Sequence, residues 1–431
     1  IAEVVQMKFW KKGLTAAALL AVAAVTLTAC GGSSEKKATE KSEDGKTKLT
    51  VTTWNYDTTP EFEKLFRAFE AENPDITIEP VDIASDDYDT KVTTMLSSGD
   101  TTDILTMKNL LSYSNYALRN QLVDLTDHVK DLDIEPAKAS YEMYEIDGKT
   151  YAQPYRTDFW VLYYNKKMFD EAGIAYPDNL TWDEYEALAK KLSKPEEQVY
   201  GAYQHTWRST VQAIAAAQNN ANLIEPKYNY METYYDRALR MQKDQSQMDF
   251  GTAKSTKVTY QSQFENSKAA MMYMGSWYMG TLLTNIDDGK TNVEWGIAEI
   301  PQQEKGKATT FGSPTSFAIN KNSKKQKAAQ KFLDFASGKE GAKLLAEVGV
   351  VPSYKTDEID KIYFARKGMP SDEVSQKAFN PDTINLEFPS DKNGAAIDKV
   401  LQEEHDLIMV GDEKPKDGIA NMEKRVKAEI D

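Results

Sequence analysis

The sequence predicts an α/β protein divided into two lobes, and three observations carry this. The chain has 431 residues, too many for one ordinary core. Its composition, 41% hydrophobic and 28% charged, is that of a globular protein rather than a disordered one. Strand-periodic and helix-periodic segments alternate from Leu49 onward at the spacing of a βαβ unit, the building block of a parallel sheet.

Taken in order, the chain opens on a processing signal rather than a fold element. Lys8, Lys11 and Lys12 precede an uncharged run from Gly13 to Ala29, which ends in "LTAC", Leu27 to Cys30. A basic start, a short apolar stretch and small residues at a cut point are what export requires. The 17 residues of that run, many of them alanine, would barely span a bilayer, so a transmembrane anchor is the weaker reading. A cysteine as first mature residue resembles the lipobox of bacterial lipoproteins, so residues 1–29 are expected to be cleaved and Cys30 to carry the lipid. The six residues "IAEVVQ" before Met7 stand outside this pattern. Cys30 is the only cysteine, which excludes an internal disulfide, a cysteine zinc site and a redox pair. The run "GGSSEKKATEKSEDGKTK" after it holds no apolar residue larger than alanine and cannot offset its own chain entropy, so residues 30–47 are expected to form a flexible tether.

The body is expected from Lys48. Leu49 to Thr53 alternates as a strand, and Phe62, Leu65, Phe66 and Phe69 then fall on one face of a helix that Thr58 or Thr59 can cap and Pro60 can start. "ENPD" ends it, and "ITIEPVDI" returns as a strand. A further helix with Val92, Met95 and Leu96 inward leads to the short strand "TDILTM". Asp147-Gly148 marks a hairpin turn that feeds the aromatic strand "FWVLYYN". In "LTWDEYEALAKKL", Thr181 and Glu184 have the spacing of a capping box and Leu180 can staple to Tyr185. "FENSKAAMMYMGSW", "VEWGIAEIP" and "TTFGSPTSFAIN" read as strands ending in glycine, serine or proline turns, and a helix follows over Ser323 to Ser337. Helical segments with loops continue to the end.

The blocks "FEAENPDITIE", "YDTKVTTMLSSGDTTDIL", "IDGKTYAQPY", "LYYNKKMFDEAGI", "LTWDEYEALAKKL", "FENSKAAMMYMGSW", "WGIAEIP" and "FAINKNSKKQKAAQKFLDFAS" occur in the order seen in bacterial extracellular solute-binding proteins of carbohydrate ABC transporters, the maltose-binding-protein-like family, and the chain resembles that family from Lys48 to about Tyr354. The resemblance implies a periplasmic-binding-protein-like fold: two lobes, each a mainly parallel sheet flanked by helices, with a ligand cleft between them. It places residues 48–154 and 310–337 in the first lobe and residues 155–309 and 338–431 in the second, with crossings near Tyr151–Thr157 and Thr309–Ser313. It further implies a monomer that captures a sugar or oligosaccharide and delivers it to permease subunits, held by the lipid on Cys30 at the extracellular face of the membrane, in a Gram-positive cell.

Ligands of open α/β sheets sit beyond the carboxyl ends of the strands. Four segments qualify as loops there: Trp54 to Asp57, Met107 to Asn109, Tyr155 to Trp160, and Gly312 to Ser316. Sugars offer apolar C–H faces and rings of hydroxyls, so a site needs flat aromatics beside carboxylates and amides. Trp54, Asn55, Tyr56 and Asp57 supply both within four residues, although Trp54 equally suits a core tryptophan and Tyr56 and Asp57 a solvated loop or helix cap. By resemblance, Gly275, Ser276 and Trp277 form the turn on whose tryptophan a sugar stacks. Lys108 and Asn109 align with a polar contact loop, although Met107 stands where some members carry an aromatic. Asp158 aligns with an acidic contact; its plain alternative is a salt bridge to Arg156. Trp207 of "HTW" falls where the second lobe contributes an aromatic, with Arg208 after it, while Trp160 and Tyr163 are expected to alternate into the core. Gly312 and Ser313 complete the set, and Phe388 is a third candidate platform.

The net charge of −15 argues against nucleic acid or an anionic membrane surface as the main partner. Three dispersed histidines, His128, His205 and His405, leave little for a zinc site or a histidine-based triad. No G-x-S-x-G elbow, no G-x-x-x-x-G-K loop and no singled-out carboxylate pair is present, so neither catalysis nor a cofactor is expected. A lipid-anchored carbohydrate hydrolase is the rival reading, as is the same fold binding an acidic sugar, a glycerophosphodiester or a polyamine.

Overall fold

The computed structural model describes residues 45–431, so the expected signal segment, Cys30 and most of the tether lie outside the described residues. Strand β1, Thr47–Trp54, leads into the helix Pro60–Glu72, which buries Phe62, Leu65, Phe66 and Phe69, the face that the spacing predicts. Strand β2, Ile76–Ile83, then lies parallel to β1 in unbroken register from Thr47↔Ile76 to Trp54↔Ile83. The helix Tyr88–Ser97 buries Val92 and Leu96 and returns the chain to β3, Ile104–Met107, on the other edge of β1 and again parallel.

Strands β4, Glu145–Ile146, and β5, Lys149–Thr150, form the expected hairpin. Its two turn residues, Asp147 and Gly148, have φ of 51° and 74°, the left-handed pair that the right-handed strand twist favours. Next come β6, Ala152–Asn165; β7, Tyr200–Tyr203; β8, Ala269–Gly275; β9, Trp295–Ala298; β10, Thr309–Ile319; and β11, Thr383–Leu386, a short strand that the sequence pattern did not announce. The sheet runs β2-β1-β3-β10-β6-β8-β7, with β11 beside β10 and β9 beside β6. The pairs β1/β2, β1/β3, β7/β8 and β10/β11 are parallel, while β6 and β10 run antiparallel to their main neighbours. The helix Trp182–Leu192 has the predicted capping box, in which Glu184 N donates to Thr181 Oγ1 at 3.2 Å and Thr181 N to Glu184 Oε2 at 2.8 Å.

Among the described residues two hydrophobic cores form, one over β1–β3 and one over β7–β9. Strands β6 and β10 pass from one to the other: Tyr155 and Phe317 belong to the first core, Phe159 and Phe311 to the second. A third segment crosses beside them. The helix Lys339–Glu347, which the resemblance assigns to the second lobe, gives Leu345 to the first core and Ala342 and Ala346 to the second. After it Val350 sits in the first core and Val351 in the second. Thr157 N donates to Val351 O and Ser353 N to Tyr155 O, both at 3.0 Å, so this segment is stitched to β6 where β6 crosses.

Two expected loops are corrected here. Tyr155 to Trp160 and Gly312 to Ser316 lie inside β6 and β10, paired Gly312↔Phe159, Ser313↔Asp158 and Pro314↔Thr157. Pro314 is tolerated because Thr157 opposite it turns its N–H away to Val351 O, so that pair asks for no N–H from residue 314. Gly312 is required because a Cβ there would lie 1.9 Å from the Asp158 carbonyl oxygen.

Candidate ligand-binding site

The parts built on the two cores meet on two sides. Thr281, in the helix Tyr278–Asp287, donates its hydroxyl to Thr58 O at 3.1 Å. On the other side a Cβ at Gly394 would fall 2.7 Å from Leu111 Cδ1.

On the second core's side, aromatic rings gather around the end of β8. That strand stops at Gly275 and the next helix starts at Tyr278, so Trp277 stands at the corner. A Cβ on residue 275 would lie 1.8 Å from Trp277 Cζ3, which explains "GSW": the indole lies back over a backbone that only glycine leaves clear. The half-buried Trp277 meets Trp160 edge to face at 5.6 Å, lies 6.3 Å from Trp207, and donates from Nε1 to Tyr260 Oη at 3.3 Å. Trp207, also half-buried, meets His205 at 4.4 Å and Tyr260 at 5.9 Å. Trp160 is buried and stacks on Phe311 at 4.8 Å, and Tyr163 is buried in the same core, as alternation predicts. Burial pushes His205 down to about 4, so at neutral pH it is uncharged and its Nδ1, 3.0 Å from Tyr203 Oη, can accept the phenol proton. Among the described residues, buried Trp160 Nε1 and Arg208 Nη1 find no hydrogen-bond partner.

On the first core's side, Trp54 is only 6% exposed, with Phe62 and Tyr88 edge-on at 5.1 and 5.2 Å. Lys108 Nζ and Arg156 Cζ each lie 5.5 Å from its ring centroid. Lys108 donates to Ser85 O at 2.8 Å and Ser85 Oγ at 2.6 Å; burial lowers its pKa, against the pull of Asp89 and Asp86. Asn109 caps the helix Leu110–Leu118, its Oδ1 accepting from Ser112 N at 2.8 Å. Asn55 takes the left-handed conformation, φ 45°, and ties the loop to Ser85 N at 3.0 Å. Tyr56 stacks on Phe66 at 5.9 Å and, with the exposed Asp57, lines a cavity of about 730 Å³ whose other walls include Glu63, Arg67 and Thr281. The four clustered candidates therefore part company: Trp54 is grouped with Lys108 and Arg156, while Tyr56 and Asp57 turn toward the helices.

Between the cores runs a buried chain of polar contacts. Arg156 pairs with Glu61, in the first turn of the helix Pro60–Glu72, and its Nε lies 3.0 Å from Asp158 Oδ2, in ion-pair contact but outside hydrogen-bond alignment. Asp158 Oδ1 accepts from Ser276 Oγ at 3.0 Å, and Ser276 N donates to Phe159 O at 2.8 Å. Burial raises the pKa of both carboxylates, with Arg156 opposing, while the two anions hold the guanidinium charged. The salt-bridge alternative for Asp158 is the arrangement found. Gly312 and Ser313 lie on the facing strand.

Three participants escaped the sequence reading. Tyr260 stands at the start of an unremarkable short helix, and Glu61 looks like any acidic residue in a helix's first turn. Glu387, raised by burial, faces Arg208, which donates from Nε to Asp398 Oδ1 at 2.6 Å and holds its guanidinium 5.3 Å from the ring of buried Phe388.

Residues 56–343 match the family model of the bacterial extracellular solute-binding proteins. Among curated relatives, the arabinooligosaccharide-binding protein of Bacillus subtilis is 24% identical, with 79% of this chain and 80% of the relative covered. The multiple sugar-binding protein of Streptococcus mutans is also 24% identical, covering 76% and 78%. Among solved structures, a sugar transporter of Rhizobium etli in an open conformation is 35% identical with TM-score 0.72, covering 88% of this chain and 99% of that one. A substrate-binding protein of Listeria monocytogenes in complex with cycloalternan is 25% identical with TM-score 0.78, covering 89% and 99%.

Proposed function

Because the chain belongs to the bacterial extracellular solute-binding proteins, we propose that it captures a sugar or oligosaccharide between its two lobes and hands it to the permease of an ABC importer. The observation that carries this reading is the half-buried pair Trp277 and Trp207, tied to Tyr260 and His205 at the place where β6 and β10 cross. Flat rings suit the C–H faces of a pyranose, and the partnerless donors on Trp160 and Arg208 suit its oxygens. The relatives' names point the same way, since they bind arabinooligosaccharide, multiple sugars and cycloalternan. A neutral ligand fits better than an acidic one: the charge of Arg156 is matched by Glu61 and Asp158 and that of Arg208 by Asp398, while Arg208 Nη1 remains a donor for a sugar oxygen. The protein binds without turnover, and the lipid on Cys30, outside the described residues, holds it beside the permease at a raised effective concentration.

A thermal-shift panel of maltotriose, mannobiose, arabinotriose, mannitol, sialic acid, glycerophosphocholine and spermidine tests the ligand class, because binding to the folded state raises the melting temperature by mass action. A response to a neutral sugar is expected; a response to spermidine with none to any sugar would overturn the reading. Product appearing on incubation with the same oligosaccharides would instead favour the hydrolase. The anchor is tested by mass spectrometry of the mature N-terminal peptide, where diacylglycerol on Cys30 is expected.

A further inference from the structure

We propose that Asp158 is a positioning residue for sugar capture: through Ser276 it sets the corner that carries Trp277, and through Arg156 it ties that corner to Glu61 on the first lobe. This rests on the reading that a sugar is held between the lobes. Four side chains make one continuous chain, Glu61, Arg156, Asp158 and Ser276, and each is at most 5% exposed. Their ends lie on different cores. Glu61 belongs to the helix that carries Phe62 and Phe66 in the first core, whereas Ser276 immediately precedes Trp277 on the second.

The corner is held by several bonds. Ser276 N donates to Phe159 O at 2.8 Å, Phe159 N donates to Ser276 Oγ at 3.3 Å, and Tyr163 Oη donates to Gly275 O at 2.8 Å. The backbone bonds fix where the corner is. The Ser276 hydroxyl, which gives its proton to Asp158 Oδ1 at 3.0 Å, is the one among these that joins the corner to the Asp158 side chain and so to Arg156 and Glu61. Arg156 is the hub. Its guanidinium contacts both carboxylates and lies 5.5 Å from the Trp54 ring centroid, so the same cation borders the first-lobe tryptophan and, through Asp158 and Ser276, sets the second-lobe one.

Geometry also argues against direct ligand contact by Asp158. At 4% exposure Asp158 has Oδ1 occupied by the Ser276 hydroxyl and Oδ2 in ion-pair contact with Arg156. A fully buried carboxylate between two partners orders its neighbours instead of reaching a sugar.

The test uses the full-length protein with Ser276→Ala, Asp158→Asn and Glu61→Gln. Titration is with maltotriose, mannobiose and arabinotriose, alongside the ligand-free fluorescence that Trp277 contributes, taken as the difference between each protein and its Trp277→Phe counterpart. Ser276→Ala is expected to weaken sugar binding about tenfold, the value of one buried hydrogen bond. It should also shift the Trp277 emission without ligand and lower the melting temperature by a few degrees, because Asp158 Oδ1 and Phe159 N each lose a buried partner. Asp158→Asn keeps an acceptor for Ser276, so it should restore most of the Trp277 emission. Glu61→Gln should weaken binding with the emission intact. Unchanged sugar affinity in Ser276→Ala and Asp158→Asn would overturn the proposal, as would a fall in melting temperature with affinity and emission untouched. If no sugar binds the parent protein, the reading of the ligand fails instead, and the emission arm still decides whether Asp158 and Ser276 set the Trp277 corner.

Discussion

Replacing Gly275 by alanine puts the aromatic corner to a quantitative test. The added Cβ would stand 1.8 Å from Trp277 Cζ3 and 2.2 Å from Cε3, where ordinary contact is 3.4–4 Å, so the indole must withdraw by about 2 Å. Residue 275 does not have a positive φ, so the backbone itself accepts alanine. The withdrawal breaks the Nε1 bond to Tyr260 and the edge contact with Trp160. Those are worth about 1 kcal/mol for the hydrogen bond and roughly 1 kcal/mol for the ring pair. The structure thus sets the stability cost at about 2 kcal/mol. If Trp277 is the platform, a similar loss appears in affinity, roughly thirtyfold. Isothermal titration with the neutral sugar giving the largest thermal shift measures the second quantity, and urea unfolding the first. Affinity within twofold of the parent, with stability lowered as calculated, would show that Trp277 is packing rather than platform and would refute the reasoning.

Trp54→Ala should cost about 3–5 kcal/mol in urea unfolding, because a 6%-exposed indole against Phe62 and Tyr88 leaves a cavity when removed; a loss below about 1 kcal/mol would make it a surface platform. Gly312→Ala should destabilise by about 3 kcal/mol, since the backbone oxygen of Asp158 at 1.9 Å cannot step aside as a flexible side chain can; an unchanged unfolding midpoint would mean that the two crossing strands do not approach so closely. His205, ordinarily near 6.5, is held by burial at about 4, so the unfolded chain binds its proton first. Its stability contribution is complete above about pH 6.5 and is lost as the pH falls through the window down to about 4, a loss of about 3 kcal/mol. His205→Gln should remove that dependence, seen as a flatter curve of unfolding free energy between pH 7 and 4.

The elements that local chemistry controls were legible in the sequence. The face of Phe62, Leu65, Phe66 and Phe69, the capping box at Thr181 and Glu184, and the Asp147-Gly148 turn each need only neighbours within a few residues. Tyr155 to Trp160 and Gly312 to Ser316 were misread as loops because glycine, serine and proline usually punctuate. Here Gly312 serves a close crossing and Pro314 a pair that needs no N–H, both of which depend on a partner strand more than a hundred and fifty residues away. Trp54, Asn55, Tyr56 and Asp57 looked like one site because they are adjacent in sequence. The strand's alternation and the left-handed turn at Asn55 send Trp54 toward Arg156 and Tyr56 onto Phe66. Glu61 gave no signal at all, since its partner, Arg156, is non-local.

Three stretches of chain, not two, run side by side where one core gives way to the other: β6, β10 and the segment around Val351. A body tied to another by one strand can swivel, and by two it can still twist about the line joining them. The third stretch, bonded to β6 at Thr157 and again at Ser353, opposes shear and sideways swivel between the cores, so rotation about the line of the crossings is the motion it hinders least. A partner that reads the relative orientation of the two lobes would then read essentially one angle, and a chain nick within Val351–Ser353 should widen the spread of that angle.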